Sequence, residues 1–101
     1  MAIEVVLLRL LPTVTRADFL AAVDETTALL KTQDGFLRRA VSQAESGEWL
    51  DILSWESIDA AKAATAVFQT DPAGKRFSDY LDLQHIQVFY TEVVAEAAGR
   101  V

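Results

Sequence analysis

The first apolar run, AIEVVLLRL over residues 2–10, carries apolar side chains at both parities. Ile3, Val5 and Leu7 fall on one, Val6, Leu8 and Leu10 on the other, and the run stops before Pro12. Residues alternate faces along a strand, so this pattern predicts a strand covered on both sides. The period then changes. Thr15 is placed as an N-cap with Asp18 in the first turn, and a helix follows to about Lys31. Its apolar stripe is Phe19, Val23 and Leu30, with Leu20 and Thr27 beside them. Asp34-Gly35 closes it with a turn signal.

Residues 36–45, FLRRAVSQAE, read as a second and more polar strand. Residues 48–55, EWLDILSW, read as a third, and Ser46-Gly47 joins the two as a hairpin. Ser57 and Asp59 open an Ala-rich helix over 58–69, whose inner stripe is Ile58, Ala61, Thr65 and Phe68. Asp71-Pro72 and Gly74 interrupt it. Residues 75–82, KRFSDYLD, form a short helical turn or irregular segment, and a last strand occupies about 84–94. The tail 95–101 is small and polar and is expected to fray.

Strand, helix, strand, strand, helix, strand is the order of the ferredoxin-like split βαβ fold. The expected class is therefore α+β: a four-stranded antiparallel sheet with helices on one face, in one domain over residues 1–101. Two helices roof only one face of such a sheet. The last strand also carries apolar residues both ways, with Ile86, Val88 and Tyr90 against Phe89 and Val93. So does the third, with Trp49, Leu53 and Trp55 against Leu50 and Ile52. An uncovered second face this apolar exceeds what soluble monomers usually tolerate. Burying ~500 Å² of it per subunit contributes on the order of 10 kcal/mol gross, before the cost of association. A homodimer through the sheet faces is the expected assembly.

Charge and composition narrow the function classes. The net charge is −6, and the nine Lys and Arg residues are scattered, with Arg38-Arg39 and Lys75-Arg76 the only adjacent pairs. Nucleic-acid binding needs a concentrated basic face, and an acidic chain is repelled by anionic membranes. There is no cysteine, which excludes disulfides and thiolate chemistry and fits a cytoplasmic location. Glu4 stands where a secretory signal would be basic. No run reaches the roughly 20 apolar residues of a membrane span.

Residues 34–64, DGFLRRAVSQAESGEWLDILSWESIDAAKAA, resemble the antibiotic-biosynthesis-monooxygenase type of dimeric α/β-barrel protein. The resemblance is carried by Asp34-Gly35-Phe36 entering the second strand, by the short hairpin, and by Trp55-Glu56-Ser57 running into an Asp/Ala helix. Phe68 followed by Asp71-Pro72, and the closing QVFYTEVV, extend it over nearly the whole chain. It implies the dimeric α/β-barrel fold, and it implies cofactor-free oxygenation of a small aromatic or quinonoid compound in a cavity between helices and sheet. A non-catalytic small-molecule-binding or stress-response dimer of the same fold is the alternative, and a structural role is a third.

The candidate site residues follow from both readings. Trp55 either lines the cavity, as a tryptophan of this region can in the family, or packs under the second helix. His85, the only histidine, is either a general base or an exposed residue opening the last strand. The segment KRFSDYLD has no histidine in the place of the family's haem ligand. Asp51 shares strand parity with Trp49, Leu53 and Trp55. Burial there raises a carboxylate's pKa unless it is paired, which is one way a base is made; the other reading is a salt bridge to Arg38 or Arg39. Tyr80, Tyr90 and Phe68 complete the substrate-binding candidates, the tyrosines as donors to a phenolic substrate or as core. The family pairs an asparagine with its tryptophan, and this chain has no asparagine; Ser54 or Gln87 would have to supply that hydrogen bond. No phosphate loop, dinucleotide fingerprint or metal cluster is present in the sequence, so no cofactor is expected. The expected partners are a second copy of the chain and a small apolar or aromatic ligand.

Overall fold

A computed structural model describes residues 1–100. The elements run β1 (Ala2–Leu8), α1 (Arg16–Leu30), β2 (Phe36–Gln43), β3 (Trp49–Trp55), α2 (Ile58–Thr70), α3 (Pro72–Asp79), a 3₁₀ turn (Leu83–His85) and β4 (Gln87–Glu92). The strands form one antiparallel sheet in the order β2-β3-β1-β4. This is the ferredoxin-like arrangement that the element order predicts, with β1 and β3 central. Thr15 and Ser57 cap α1 and α2 as expected, their hydroxyls accepting the backbone N–H of Asp18 (3.1 Å) and Ala60 (3.0 Å).

The register sorts the side chains onto two faces. Ala2, Glu4, Val6 and Leu8 of β1 pair with Trp55, Leu53, Asp51 and Trp49 of β3, and all of these lie beneath the helices. Ile3, Val5 and Leu7 pair with Ser54, Ile52 and Leu50 and with Thr91, Phe89 and Gln87. They form the other face, which no helix or strand among the described residues roofs. Phe89 there is 49% exposed.

Beneath the helices the core has two clusters. One surrounds Trp55 with Leu30, Leu53, Ala61 and Ala64. The other joins Leu8, Phe19, Trp49, Phe77 and Leu81, with Phe19 4.9 Å from Trp49 and 5.5 Å from Phe77 between ring centres.

Several elements differ from the sequence expectation. The buried stripe of α1 is Phe19, Ala22, Thr26 and Leu30, while Leu20 is exposed. The small residues face the sheet because a guanidinium rises against them from β2. Of residues 75–82, 75–79 belong to a regular helix, α3, and 80–82 lie beyond its end. Asp71 ends α2 and its carboxylate accepts the N–H of Ala73 (2.9 Å), so that Pro72 begins α3 at the position proline favours. Gly74 lies inside α3, where a Cβ would stand 1.8 Å from the carbonyl oxygen of Phe68. It permits the close approach of α3 to α2 and does not break a helix. The last strand is shorter than residues 84–94, because Asp82 accepts the N–H of Gln84 (3.1 Å) and winds Leu83–His85 into a turn. Of the tail, residues 95–100 are exposed and outside any strand or helix, and Val101 lies outside the described residues.

Candidate functional site

A cavity of about 130 Å³ lies between sheet and helices, where the two core clusters meet. Glu4 and Val6 of β1 and Asp51, Leu53 and Trp55 of β3 form its floor. Leu30 of α1, Thr65 and Phe68 of α2, and Phe77 of α3 form its walls. Most of this lining is apolar. The polar groups are two carboxylates, the Arg39 guanidinium and two hydroxyls, of Thr65 and Ser78.

The two carboxylates are held differently. Asp51 is buried, and Arg39 grips it bidentately, Nε to Oδ1 at 2.9 Å and Nη2 to Oδ2 at 2.7 Å. The third guanidinium nitrogen reaches α1 and donates to the Thr26 hydroxyl (2.8 Å), the Thr27 hydroxyl (3.0 Å) and the Val23 carbonyl (3.0 Å). The guanidinium carbon also lies 5.5 Å from the Phe77 ring centre, within cation–π range. Removing one partner of such a buried pair costs about 3–5 kcal/mol, because the other charge is left uncompensated.

Glu4 is 8% exposed. The indole N–H of Trp55 donates to its Oε1 at 3.0 Å, and among the described residues this is its one side-chain hydrogen bond. Burial pushes the Glu4 carboxyl above its ordinary value of 4.5. The indole N–H opposes that, the Asp51 charge adds to it and the Arg39 charge offsets part of it.

Trp55 is 1% exposed, with its ring edge-on to Phe36 at 5.3 Å. It both lines the cavity and packs in the core, so the two readings of this residue are not exclusive. Phe68 lines the cavity and meets Phe77 edge-on at 5.5 Å. Tyr90 pairs with Glu4 in the β1–β4 register and stands behind Thr65, their hydroxyls 2.9 Å apart. The Thr65 hydroxyl proton is directed to the Ala61 carbonyl (3.0 Å), which makes Tyr90 the donor.

Two candidates lie elsewhere. Tyr80 caps α3 and borders a surface groove with Asp18, Glu25 and Arg76. His85 sits on the exposed turn before β4, with Nδ1 2.7 Å from Asp82 Oδ2. That bond, followed by the Gln84 N–H, draws the Asp82 carboxyl below its ordinary value. Asp51, Trp55 and Phe68 are thus brought together, Tyr90 stands one residue removed, and His85 and Tyr80 are apart from them. The hydrogen-bond partner of the tryptophan is Glu4. Ser54 and Gln87 fall on the other parity of their strands, facing away from the cavity. Glu4 is the cavity residue that the sequence reading missed, and Arg39 entered it only as one of two possible salt-bridge partners of Asp51. The signal for Glu4 was available: it shares parity with Ala2, Val6 and Leu8 in a strand otherwise apolar on that face. Among the described residues, no group of three or more His, Cys, Asp or Glu could hold a metal ion, and no helix is long and apolar enough to cross a membrane.

Solved structures share this architecture over almost the full chain. A candidate antibiotic biosynthesis monooxygenase of Bordetella bronchiseptica superposes with a TM-score of 0.77 at 20% identity, covering 93% of this chain and 97% of that one. SnoaB, a cofactor-independent oxygenase from Streptomyces nogalater, does so in its N63A mutant with a TM-score of 0.78 at 16% identity, covering 94% of each chain. The chain has the fold of the antibiotic biosynthesis monooxygenase-like proteins. At3g17210 from Arabidopsis thaliana has it too, with a TM-score of 0.76 at 13% identity, covering 97% of this chain and all of that one. No protein-family model matches the sequence, and no curated protein matches it. At these identities the likeness establishes the fold, and the chemistry has to be argued from the cavity.

Proposed function

We propose that this protein is a cytoplasmic homodimer that binds a small aromatic compound in the cavity beneath its helices and oxygenates it without a cofactor. The observation that carries this reading is the cavity itself, an apolar space floored by a buried carboxylate that the Trp55 indole holds in place. An apolar pocket with a few convergent polar groups is the usual form of a small-molecule site. A cavity of about 150 Å³ holds benzene, and the cavity here, about 130 Å³ and partly open to solvent, is of that order. Hydroquinone is a fitting substrate. One oxygen atom of O₂ replaces a ring hydrogen and the other leaves as water. Ring hydroxylation and hydroquinone-to-quinone oxidation each supply two of the four electrons that O₂ accepts.

Within this reading Trp55 and Phe68 wall the ring, Asp51 fixes the Arg39 guanidinium at the cavity floor, and Tyr90 positions Thr65. His85 and Tyr80 carry no step from where they stand. SnoaB, with the same fold, is a cofactor-independent oxygenase, which supports the reaction class. The test is oxygen uptake with hydroquinone after exhaustive chelation. The expected result is one O₂ consumed per hydroxyquinone formed, reduced at least tenfold by Phe68→Trp, which fills the cavity. An uptake rate no higher than that of the buffer alone removes the oxygenase reading.

A second reading, a non-catalytic binding or stress-response dimer, is favoured by one observation: Asp51 is fully engaged by Arg39 and His85 is remote, so the two do not form an acid–base pair. Thermal shift by hydroquinone without product would select it.

A further inference from the structure

We propose that Glu4 is the proton acceptor of this cavity and the residue that decides which rings it takes, admitting neutral hydroxyl donors and rejecting carboxylates. The inference rests on the reading of the cavity as an aromatic-ligand site, and it assigns a role that the fold likeness does not supply.

The basis is the contrast between the two buried carboxylates. Both Asp51 oxygens are taken by Arg39. Glu4 is more than nine-tenths buried, lines the cavity and receives a single N–H, on Oε1. Its Oε2 has no donor among the described residues. That oxygen is not sealed in, since among the described residues every fully buried side-chain nitrogen or oxygen has a partner; it is open to the cavity, where water or the O–H of a ligand can supply the donor. The Trp55 N–H fixes the carboxylate in one orientation, so the free oxygen is set in place before a ligand enters. Burial also raises the basicity of Glu4, the direction required of a base working near neutral pH.

The transfer conserves charge within the site. The ligand O–H bond breaks, the proton joins Glu4 Oε2, and the electron pair stays on the ligand oxygen. One negative charge therefore moves from protein to ligand, while Arg39 and Asp51 remain a neutral pair beside it. A ligand that arrives as a carboxylate brings a second uncompensated negative charge into the same low-dielectric space, which is strongly unfavourable.

The test measures binding of phenol, anisole and benzoate at neutral pH by titration calorimetry, to the native protein and to Glu4→Gln. In the native protein phenol is expected to bind about tenfold more tightly than anisole, the worth of one charge-assisted hydrogen bond, and benzoate not at all. In Glu4→Gln the preference for phenol over anisole shrinks to about threefold or less, and benzoate gains affinity. Equal binding of phenol and anisole by the native protein overturns the proposal without need of a variant, as does a Glu4→Gln protein that keeps the native preference. Failure of both rings to bind overturns this proposal and the aromatic-site reading together. A phenol preference without oxygen uptake keeps Glu4 in its role and removes only the oxygenase. Uptake undiminished in Glu4→Gln does the reverse.

Discussion

The cavity floor holds two carboxylates that differ in one neighbour. Asp51 has a guanidinium and Glu4 has an indole, and a single N–H does not offset the burial of a carboxylate. The sign of the consequence follows from the direction of the shift. A carboxyl raised above 4.5 gives its full stabilisation below that pH and loses it as the pH rises through the higher folded-state value. Glu4→Gln, which imitates the protonated form, is therefore expected to melt with the native protein near pH 4 and a few degrees above it at pH 7–8, with the gap opening between. Parallel thermal melts across that range check it, and a variant no more stable at pH 8 than at pH 4, relative to the native protein, counts against the buried free carboxylate. A residue that lowers stability at working pH fits a functional role. The sequence made Asp51 legible, because its parity among large apolar residues is plain, and it offered the Arg39 pairing as one of two readings. The role of Glu4 is harder to see in the chain, because its indole partner is 51 residues away.

At the scale of elements, capping and alternation were readable in the chain, while helix-to-helix distance was not. Thr15, Ser57 and the hairpin act locally, so their signals sit in adjacent residues. The role of Gly74 depends on how near α3 comes to α2, which no run of neighbours encodes. Gly74→Ala puts a methyl group against the Phe68 backbone, and backbone cannot swing aside. The expected cost is about 3 kcal/mol, a fall in Tm on the order of 10 °C or more, read by thermal melting. Since Phe68 also walls the cavity, ring binding should weaken in the same variant. Unchanged melting would mean that the two helices are not packed this closely. The α1 stripe was misread for a related reason. Leu20 looks like core and is exposed, while Val23 packs at the margin of the second cluster; the Arg39 head group needs room, and Ala22 and Thr26 give it.

For the whole molecule, the decisive feature is the face carrying Ile3, Val5, Leu7, Leu50, Ile52 and Phe89, which no helix among the described residues covers. Sedimentation or light scattering at micromolar concentration is expected to give twice the monomer mass of 11.1 kDa, and Phe89→Asp to return it to one. A native protein that stays monomeric would leave this face without a roof and remove the dimer from the proposal. The antiparallel fold and the two-sided character of the sheet were legible because the element order is that of the split βαβ fold and β1 and β3 are apolar at both parities. The Arg39 clamp has a different consequence at this scale. β2 is an edge strand, and a free edge is where sheets add foreign strands, exchange segments between molecules and begin fibrils. Its guanidinium is bolted to the neighbouring strand and to the helix above, which holds this border in the sheet against peeling away. Guarding the chain against misassembly and furnishing the cavity with a charge are then two services of one side chain.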